Sequence, residues 1–302
     1  MLAVWLLVRI ANTMVTMKNG ILLMGVIILL YLSSFACPSA ASIQTLERTT
    51  LFPIMQNGKW GYIDNTGAIV IKPQFNMAFS FSEDLGLVVV GQKFGYVDRQ
   101  GQLAIKPQYD EARTFSEGLA VVSKDYRWGY IDRTGKEVIP LQYVEAGEFS
   151  EGMAAVRIDS HSVTEESQWG YINQKGEVII PPKFYSAGDF SEGLARVSVG
   201  KFGEPQQSGY IDKIGKFITN PQFFLAGEFS EGLAPVEVGG KYEKFGERLH
   251  RHIPGKWGYI DRSGKVVIPP QFDHGYSFSE GLARVSIGDK LGYIDTGSIH
   301  SL

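Results

Sequence analysis

The sequence is poor in cysteine and histidine, the side chains that most often carry metal or nucleophilic chemistry. Cys37 is the only cysteine among 302 residues, so the folded body has no intramolecular disulfide and must be stable through packing alone. The five histidines show no zinc-type spacing, and the sequence has neither a Gly-x-Ser-x-Gly elbow nor a phosphate-binding loop. These absences predict a protein without a metal, a cofactor or a catalytic set of residues.

Acidic residues are missing from the first 41 residues, and no apolar run there is long enough for a membrane span. This stretch carries only Arg9 and Lys18 as charges and has an apolar run at residues 21–32. A membrane span needs about 20 residues. Small residues follow at 33–41, a layout typical of a secretory signal peptide, in which Met17 begins an ordinary positively charged region. We therefore expect residues 1–41 to direct export, with an uncleaved anchor as the alternative.

Cleavage of this segment is expected after Ala36 or Ala41, because small residues precede both positions. The first choice leaves Cys37 at the new terminus and makes it a candidate for lipid modification. The second choice makes it an ordinary signal-peptide cysteine. The expected location is the periplasm, the cell surface or the medium, with membrane contact only through a lipid anchor or an uncleaved signal.

The net charge also limits the partners. It is −3, so the chain has no electrostatic reason to bind nucleic acid.

The rest of the chain is dominated by a repeat. The core Gly-Tyr-Ile/Val occurs seven times, with spacings of 34, 34, 41, 39, 49 and 34 residues. A second block, Phe-Ser-Glu, begins 20 residues after the glycine in each of the six complete copies. Differences in length therefore lie in one connection, between the second block and the next core. The glycines are Gly61, Gly95, Gly129, Gly170, Gly209, Gly258 and Gly292, and the phenylalanines are Phe81, Phe115, Phe149, Phe190, Phe229 and Phe278.

Each copy predicts three short strands, because glycine and proline recur and apolar residues alternate with period two. The first strand is typified by residues 281–287, where we expect Arg284 and its equivalents Leu87 and Val121 to face solvent. The Asp-x-x-Gly that follows the second strand predicts a hairpin turn. The third strand ends at proline, which has no N–H to donate to the ladder.

The predicted fold is therefore all-β: an open array, or solenoid, of tandem three-stranded antiparallel units. A closed ring of the β-propeller type is the alternative, but it needs about four strands per blade. A period of 34 residues leaves little room for a fourth strand. Residues 42–50 form a short lead, and residues 51–302 form the repeat domain, with six complete units and a truncated seventh.

Aromatic and acidic side chains recur in every complete copy. The Tyr of each core shares a strand face with the residue two positions before it, usually Trp. This face is either the core between units, which we favour, or an exposed ladder of rings suited to sugars or peptides. The crossing is the segment that leads from the third strand of one unit to the first strand of the next. Two aromatic residues in each crossing, such as Phe272 and Phe278, are expected to pack between units. The repeated Glu and Asp are expected to serve turns, since an active site is normally single.

The differences between copies indicate where to look for a binding site. Relative to 34 residues, three connections carry 7, 5 and 15 extra residues, at 157–168, 200–207 and 239–256. One connection in successive units should lie along one edge, as binding loops do on rigid repeats. Tolerated drift in loop length is the alternative. The candidate binding residues come from the longest insertion: Tyr242, Arg248, His250, Arg251 and His252.

The motif Lys-Trp-Gly-Tyr-Ile-Asp-x-x-Gly-Lys-x-Val-Ile-Pro-Pro-x-Phe, followed by Phe-Ser-Glu-Gly-Leu-Ala, resembles the WG-containing repeat family, also called KWG repeats. The resemblance covers about residues 51–295 and departs from the pattern where Phe94, Ser208 and Leu291 replace the Trp. It implies a bacterial β-repeat protein, often exported, that acts as a binding or scaffolding module. It supplies no catalytic residues.

These observations predict an exported, non-enzymatic module that binds a protein or a cell-envelope glycan through its insertion edge or its aromatic face. Two alternatives stay open. One is an envelope hydrolase with its site around His250 and His252, and the other is a purely structural spacer.

Overall fold

The computed structural model describes residues 50–159, 168–200, 206–244 and 250–296, all of which belong to one compact unit that begins at Thr50. These residues form 27 strands, β1 to β27, and no α-helix. The strands make seven consecutive antiparallel sheets, called sheets 1 to 7, and one separate hairpin. The all-β prediction is confirmed.

The strands have the following bounds. Sheet 1 contains β1 (Phe52–Gln56), β2 (Lys59–Ile63) and β3 (Ile69–Phe75). Sheet 2 contains β4 (Met77–Ser82), β5 (Leu85–Val90), β6 (Lys93–Val97) and β7 (Leu103–Tyr109). Sheet 3 contains β8 (Glu111–Ala112), β9 (Leu119–Lys124), β10 (Arg127–Asp132) and β11 (Glu137–Tyr143). Sheet 4 contains β12 (Glu145–Ala146), β13 (Met153–Ile158), β14 (Gln168–Asn173) and β15 (Val178–Phe184).

The remaining sheets follow in chain order. Sheet 5 contains β16 (Ser186–Ser191), β17 (Leu194–Val199), β18 (Gln207–Asp212) and β19 (Phe217–Phe223). Sheet 6 contains β20 (Leu233–Val238), β23 (Lys256–Asp261) and β24 (Val266–Phe272), and the hairpin β21 (Lys241–Lys244) and β22 (His250–Ile253) is inserted between its first two strands. Sheet 7 contains β25 (His274–Gly275), β26 (Leu282–Ile287) and β27 (Lys290–Asp295).

Sheets 2 to 5 have four strands each, one more than predicted. The additional strand is the crossing itself. In sheet 2, Ala78 of β4 pairs with Val88 of β5, and the amide of Asn76 donates to the carbonyl of Val89 at 2.8 Å. In sheets 3 and 4 this first strand is two residues long. A short unit therefore holds four strands, because the first strand is also the connection between units.

The glycine of the Trp-Gly-Tyr core is required by a bulge in the neighbouring strand. In sheet 3, Trp128 pairs with Tyr143 and Tyr130 pairs with Ile139, so β11 has two more residues than β10 between the paired positions. A side chain on Gly129 would place its Cβ 2.6 Å from the carbonyl oxygen of Ile139. Only glycine lets the two strands approach this closely.

The core lies between successive sheets. One cluster combines Tyr130 and Ile139 of sheet 3 with Phe149 and Val156 of sheet 4. The tyrosines of the six complete cores are all buried, whereas the tryptophans are half-buried. The favoured interpretation of this aromatic face as core is confirmed for these tyrosines, which are Tyr62, Tyr96, Tyr130, Tyr171, Tyr210 and Tyr259.

Because the sheets stack face to face, the strand before each Trp-Gly-Tyr strand is buried on both sides in the inner sheets. Leu87 is 3% exposed and Val121 is 1% exposed, so the expectation that this position faces solvent was wrong there. It holds for Arg284 of sheet 7, which is exposed.

The array is open. Contacts between strands of different sheets run from each sheet to its neighbour along the chain. Tyr293 of sheet 7 is 69% exposed, although its equivalents in sheets 1 to 6 are buried. The last sheet therefore keeps one stacking face uncovered, as an open array requires.

Candidate functional site

The repeated aspartates close hairpin turns. The Oδ1 atom of Asp132 accepts hydrogen bonds from the amides of Thr134 at 2.9 Å and Lys136 at 3.1 Å. The Thr134 hydroxyl also donates to this oxygen, at 2.6 Å, and is the main cause of a lowered pKa for Asp132. The same turn recurs at Asp64 and Asp261. These carboxylates serve the backbone, as predicted.

The serines and glutamates of the Phe-Ser-Glu segments link each crossing to the next, and we call this set the crossing ladder. The hydroxyl of Ser116 donates to the carbonyl of Phe149 at 2.7 Å, and the amide of Gly152 donates to the carboxylate of Glu117 at 2.9 Å. Each Glu of the ladder has a positive φ. The ladder consists of Ser82, Ser116, Ser150, Ser191 and Ser230 with Glu83, Glu117, Glu151, Glu192 and Glu231.

The connections that lead into each Trp-Gly-Tyr strand, or its equivalent, differ from sheet to sheet, and we call them the connection edge. They are two-residue turns at 57–58, 91–92, 125–126 and 288–289, whereas sheets 4, 5 and 6 carry the three insertions in this place. Arg127 beside one connection forms an ion pair with Asp159 in the next, at 2.6 Å. The insertions therefore occupy one equivalent connection, and at least two of these connections are adjacent.

The hairpin of β21 and β22 packs on sheet 6 through aromatic rings. Tyr242 pairs with His252 across the hairpin. The ring of Phe224, in the crossing before β20, stacks on the imidazole of His252 with a centroid distance of 5.0 Å and an interplanar angle of 17°. Tyr242 lies against the same Phe224 ring at 4.8 Å.

A buried carboxylate lies beneath this hairpin. Glu237 of β20 has a fully buried side chain, and its Oε1 accepts from the amide of Gly255 at 2.5 Å and lies 3.1 Å from Nε2 of His252. Among the described residues, its Oε2 has no hydrogen-bond partner. No other sheet has a carboxylate at this position, where the equivalent residues are Met55, Val89, Ser123, Arg157, Ser198 and Ser286. The pair fixes the inserted hairpin to the sheet.

A groove of about 460 Å³ lies at the connection edge of sheet 3. Tyr126 on its rim is 95% exposed, and Asp125 and Tyr126 both have positive φ, 52° and 62°. Beside the groove, Lys93 forms a hydrogen bond with Asp110. The lining consists of Asp110, Glu111, Ser123, Asp125, Tyr126, Trp128 and Val144.

A wider groove of about 780 Å³ opens between sheets 3 and 4. Arg127 and Asp159, which form the ion pair between two connections, both line it. This groove reaches the connection edge at Arg127 and Asp159, and it reaches the opposite turn of sheet 4 at Gly176. The other lining residues are Gln142, Tyr143, Ile158, Gly176 and Val178.

Comparison with protein families decides the identity of the repeat. The family described as WG containing repeat matches six segments of the chain, at residues 60–94, 94–128, 128–160, 169–201, 209–242 and 257–290. This chain belongs to the WG containing repeat family. The resemblance identified from the sequence is confirmed, and each matched segment runs from the Trp-Gly-Tyr strand of one sheet, or its equivalent, into the next sheet. A search of curated proteins gives no match to the chain.

Two solved structures of puromycin hydrolase, one a mutant complexed with PGG, are similar to this WG repeat chain. Their identities are 13% and 12%, and their TM-scores are 0.41 and 0.39. Each similarity covers 82% of this chain and 50% of the hydrolase, so the chain spans about half the length of those proteins. Similarity at this level supports no conclusion about the activity of the WG repeats.

The candidate residues of the longest insertion have different positions in the WG repeat array. Tyr242 and His252 are brought together on Phe224, whereas Arg251 is exposed. His250 begins β22, but its side chain lies outside the described part of the structure. Arg248 and Cys37 also lie outside the described residues. Sequence reasoning missed Glu237, whose one signal is a carboxylate at a position where no other repeat has an acidic residue.

Three acidic residues precede the Phe of successive crossings: Glu148, Asp189 and Glu228. Burial is the main cause of a raised pKa at both Glu148 and Asp189. The charge of Asp189 adds to the rise at Glu148, and the charge of Arg113 opposes both rises. The equivalent position is Ser80, Thr114 and Ser277 in the other crossings, so the acids occur in only three of the six.

In the ranges that the structure describes, no three His, Cys, Asp or Glu side chains gather to hold a metal ion. Those ranges also contain no apolar helix of membrane-spanning length.

Proposed function

We propose that this WG repeat protein is a non-enzymatic binding module that holds its ligand along the connection edge. One observation carries the proposal. The shared residues are used by turns and by the crossing ladder, whereas the connection edge carries the insertions, the anchored hairpin and two grooves. Rigid scaffolds that present variable loops commonly bind through those loops.

The ligand is an extended molecule of the cell envelope, a glycan or a protein, that contacts the connections of several sheets. The stacking of sheets fixes these connections relative to one another, so little conformational entropy is lost when they bind. The contact between Glu237 and His252 also fixes the longest connection to its sheet. Export through residues 1–41 is part of this proposal, because it brings the protein to the envelope.

A hydrolase is the second candidate, favoured by a specific contact. Nε2 of His252 lies 3.1 Å from Glu237, and a carboxylate that orients an imidazole is one component of a general-base pair. Substitution of His252 therefore tests the hydrolase function. If envelope material releases soluble fragments with the full chain but not with His252→Ala, the non-enzymatic proposal is wrong.

The binding proposal is tested with the purified full chain and isolated envelope fractions in a sedimentation assay. In one variant, residues 239–255 are replaced by Gly-Asp, which copies the tight turn of Gly288 and Asp289 in sheet 7. We expect saturable binding by the full chain and an affinity about tenfold lower for the variant, equivalent to about 1.4 kcal/mol. Lys106→Ala, at an exposed position of β7, is the control and should bind normally.

Two outcomes contradict the proposal. One is the absence of saturable binding to every envelope fraction. The other is an equal loss of binding in the hairpin variant and in Lys106→Ala, which would show that the loss is not specific to the connection edge.

A further inference from the structure

We propose that the groove at the connection edge of sheet 3, formed around Tyr126 and Trp128, binds a ring of a neutral polysaccharide. The inference rests on the proposed binding function and assigns a ligand class to one part of the connection edge.

The turn at Asp125 and Tyr126 holds an exposed ring at a conformational cost. Both residues have a positive φ, as in the type I′ turns that favour Asn-Gly. Sheet 1 builds the same connection from Asn57 and Gly58, with φ values of 52° and 73°. A tyrosine in the left-handed region costs about 1 kcal/mol relative to glycine. Such strain is concentrated at functional sites, and the 95% exposed ring of Tyr126 makes no compensating packing contribution.

The groove offers an aromatic surface and hydrogen-bond acceptors together. The half-buried indole of Trp128 and the exposed phenol ring of Tyr126 line the same space. Exposed carboxylates of Glu111 and Asp125 stand at its margin. Aromatic faces pack against the apolar C–H face of a sugar ring, and carboxylates accept hydrogen bonds from its hydroxyls. The volume of about 460 Å³ lies within the range of small-ligand sites.

The charges around the groove favour an uncharged ligand. An anionic glycan would meet the carboxylates of Asp110, Glu111 and Asp125. A cationic ligand would meet two cations already in place, because Lys93 is bonded to Asp110 and the Arg113 guanidinium lies 5.9 Å from the centre of the Trp128 ring. A neutral sugar meets neither form of repulsion and uses the exposed acceptors.

The test is calorimetric titration of the full chain with neutral tetrasaccharides of glucose and of N-acetylglucosamine, with oligogalacturonate and tetralysine as charged alternatives. Two variants remove the surface. Tyr126→Gly deletes the ring and relieves the backbone, and Trp128→Phe introduces the residue that sheet 2 has at Phe94. We expect at least one neutral tetrasaccharide to bind, with affinity falling about tenfold or more in Tyr126→Gly and several-fold in Trp128→Phe.

Trp257→Phe makes the same change in sheet 6 and should leave the affinity unchanged. Thermal unfolding of Tyr126→Gly at or above the wild-type temperature would exclude misfolding as the cause of its lost affinity. The proposal is overturned if the two groove variants bind normally, if Trp257→Phe is equally impaired, or if only a charged ligand binds. If envelope fractions bind the chain but no neutral tetrasaccharide does, this site assignment fails and the binding function stands. If no fraction binds, the function itself fails.

Discussion

The crossing ladder and the connection edge belong to the same sheets but differ in how closely their residues repeat from one sheet to the next. In the ladder, each hydroxyl and carboxylate bonds to the next crossing, as Ser116 does with Phe149 and Glu117 with Gly152. At the connection edge, the same position in the repeat is a two-residue turn in four sheets and an insertion in three. The residues that link stacked sheets therefore repeat along the chain, whereas the connections that border the grooves vary.

This difference changes what the most conspicuous motif means. Trp-Gly-Tyr looks like the signature of an active site, but Tyr130 is buried and donates its hydroxyl to the carbonyl of Gly147 at 2.8 Å. A side chain engaged in this way has little left to offer a ligand. The strained and exposed Tyr126, at a position that is not aromatic in the other two-residue connections, is a stronger indication of function.

The largest expected effect on stability comes from a substitution in the repeated scaffold, at the glycine of a Trp-Gly-Tyr core. Gly129→Ala places a Cβ 2.6 Å from backbone atoms of β11, so we expect the free energy of unfolding to fall by about 3 kcal/mol. Gly292→Ala is the matched control, because nothing lies within 4 Å of a Cβ built at that position. Urea unfolding should show a change within about 0.5 kcal/mol for the control. Similar losses in both variants would show that the bulge does not explain the glycine.

A smaller effect is expected from the tyrosine hydroxyl. Tyr171→Phe keeps the ring against Phe190 but removes the bond from the hydroxyl to the carbonyl of Gly188, which is 2.8 Å long. Loss of a hydrogen bond that leaves its acceptor unpaired should cost about 1 kcal/mol in urea unfolding. Tyr293→Phe changes the 69% exposed equivalent in sheet 7 and should be neutral. An unchanged stability of Tyr171→Phe would mean that the hydroxyls do not hold the crossings.

Local parts of this fold could be predicted from the sequence because their causes are local. The Asp-x-x-Gly turn needs only residues such as Asp132 and Gly135, and the strands follow from alternation and proline. The first strand of each four-stranded sheet was missed, because the crossing is a strand only through its pairing with the next strand, as Glu111–Ala112 pairs with β9. Burial of Leu87 on a second face likewise depends on the neighbouring sheet.

The site was less predictable than the fold, for the same reason. His252 was selected because it lies in the longest insertion, but its partner Glu237 precedes the insertion and meets it only when the hairpin folds back. Tyr126 belongs to a connection of normal length, so a search based on insertions could not find it. Its signal was a bulky aromatic residue in a turn that requires positive φ.

The third prediction concerns Asp189, because it directly precedes the shared Phe-Ser-Glu segment but is acidic in only three of the six crossings. Burial raises the pKa of Asp189, so the fold favours the protonated form and ionisation at neutral pH lowers stability. Asp189→Asn removes that charge, and we expect thermal unfolding at pH 7 to occur about 2 °C higher. The gain should shrink as the pH falls through the raised pKa and vanish below about 3.9, where the wild-type carboxyl is protonated in both states.

Asp132→Asn is the control of opposite sign. Hydrogen bonding lowers the pKa of Asp132, so its ionised form contributes stability that is present at neutral pH and lost in acid. The substitution should not raise the unfolding temperature at pH 7, although the turn itself should survive. Asn173 already closes the equivalent turn, and its Oδ1 accepts from the amides of Lys175 and Glu177 at 3.0 Å each. If Asp189→Asn lowers stability at pH 7, the varying acid belongs with the structural ladder, and the division between shared scaffold and variable surface must exclude it.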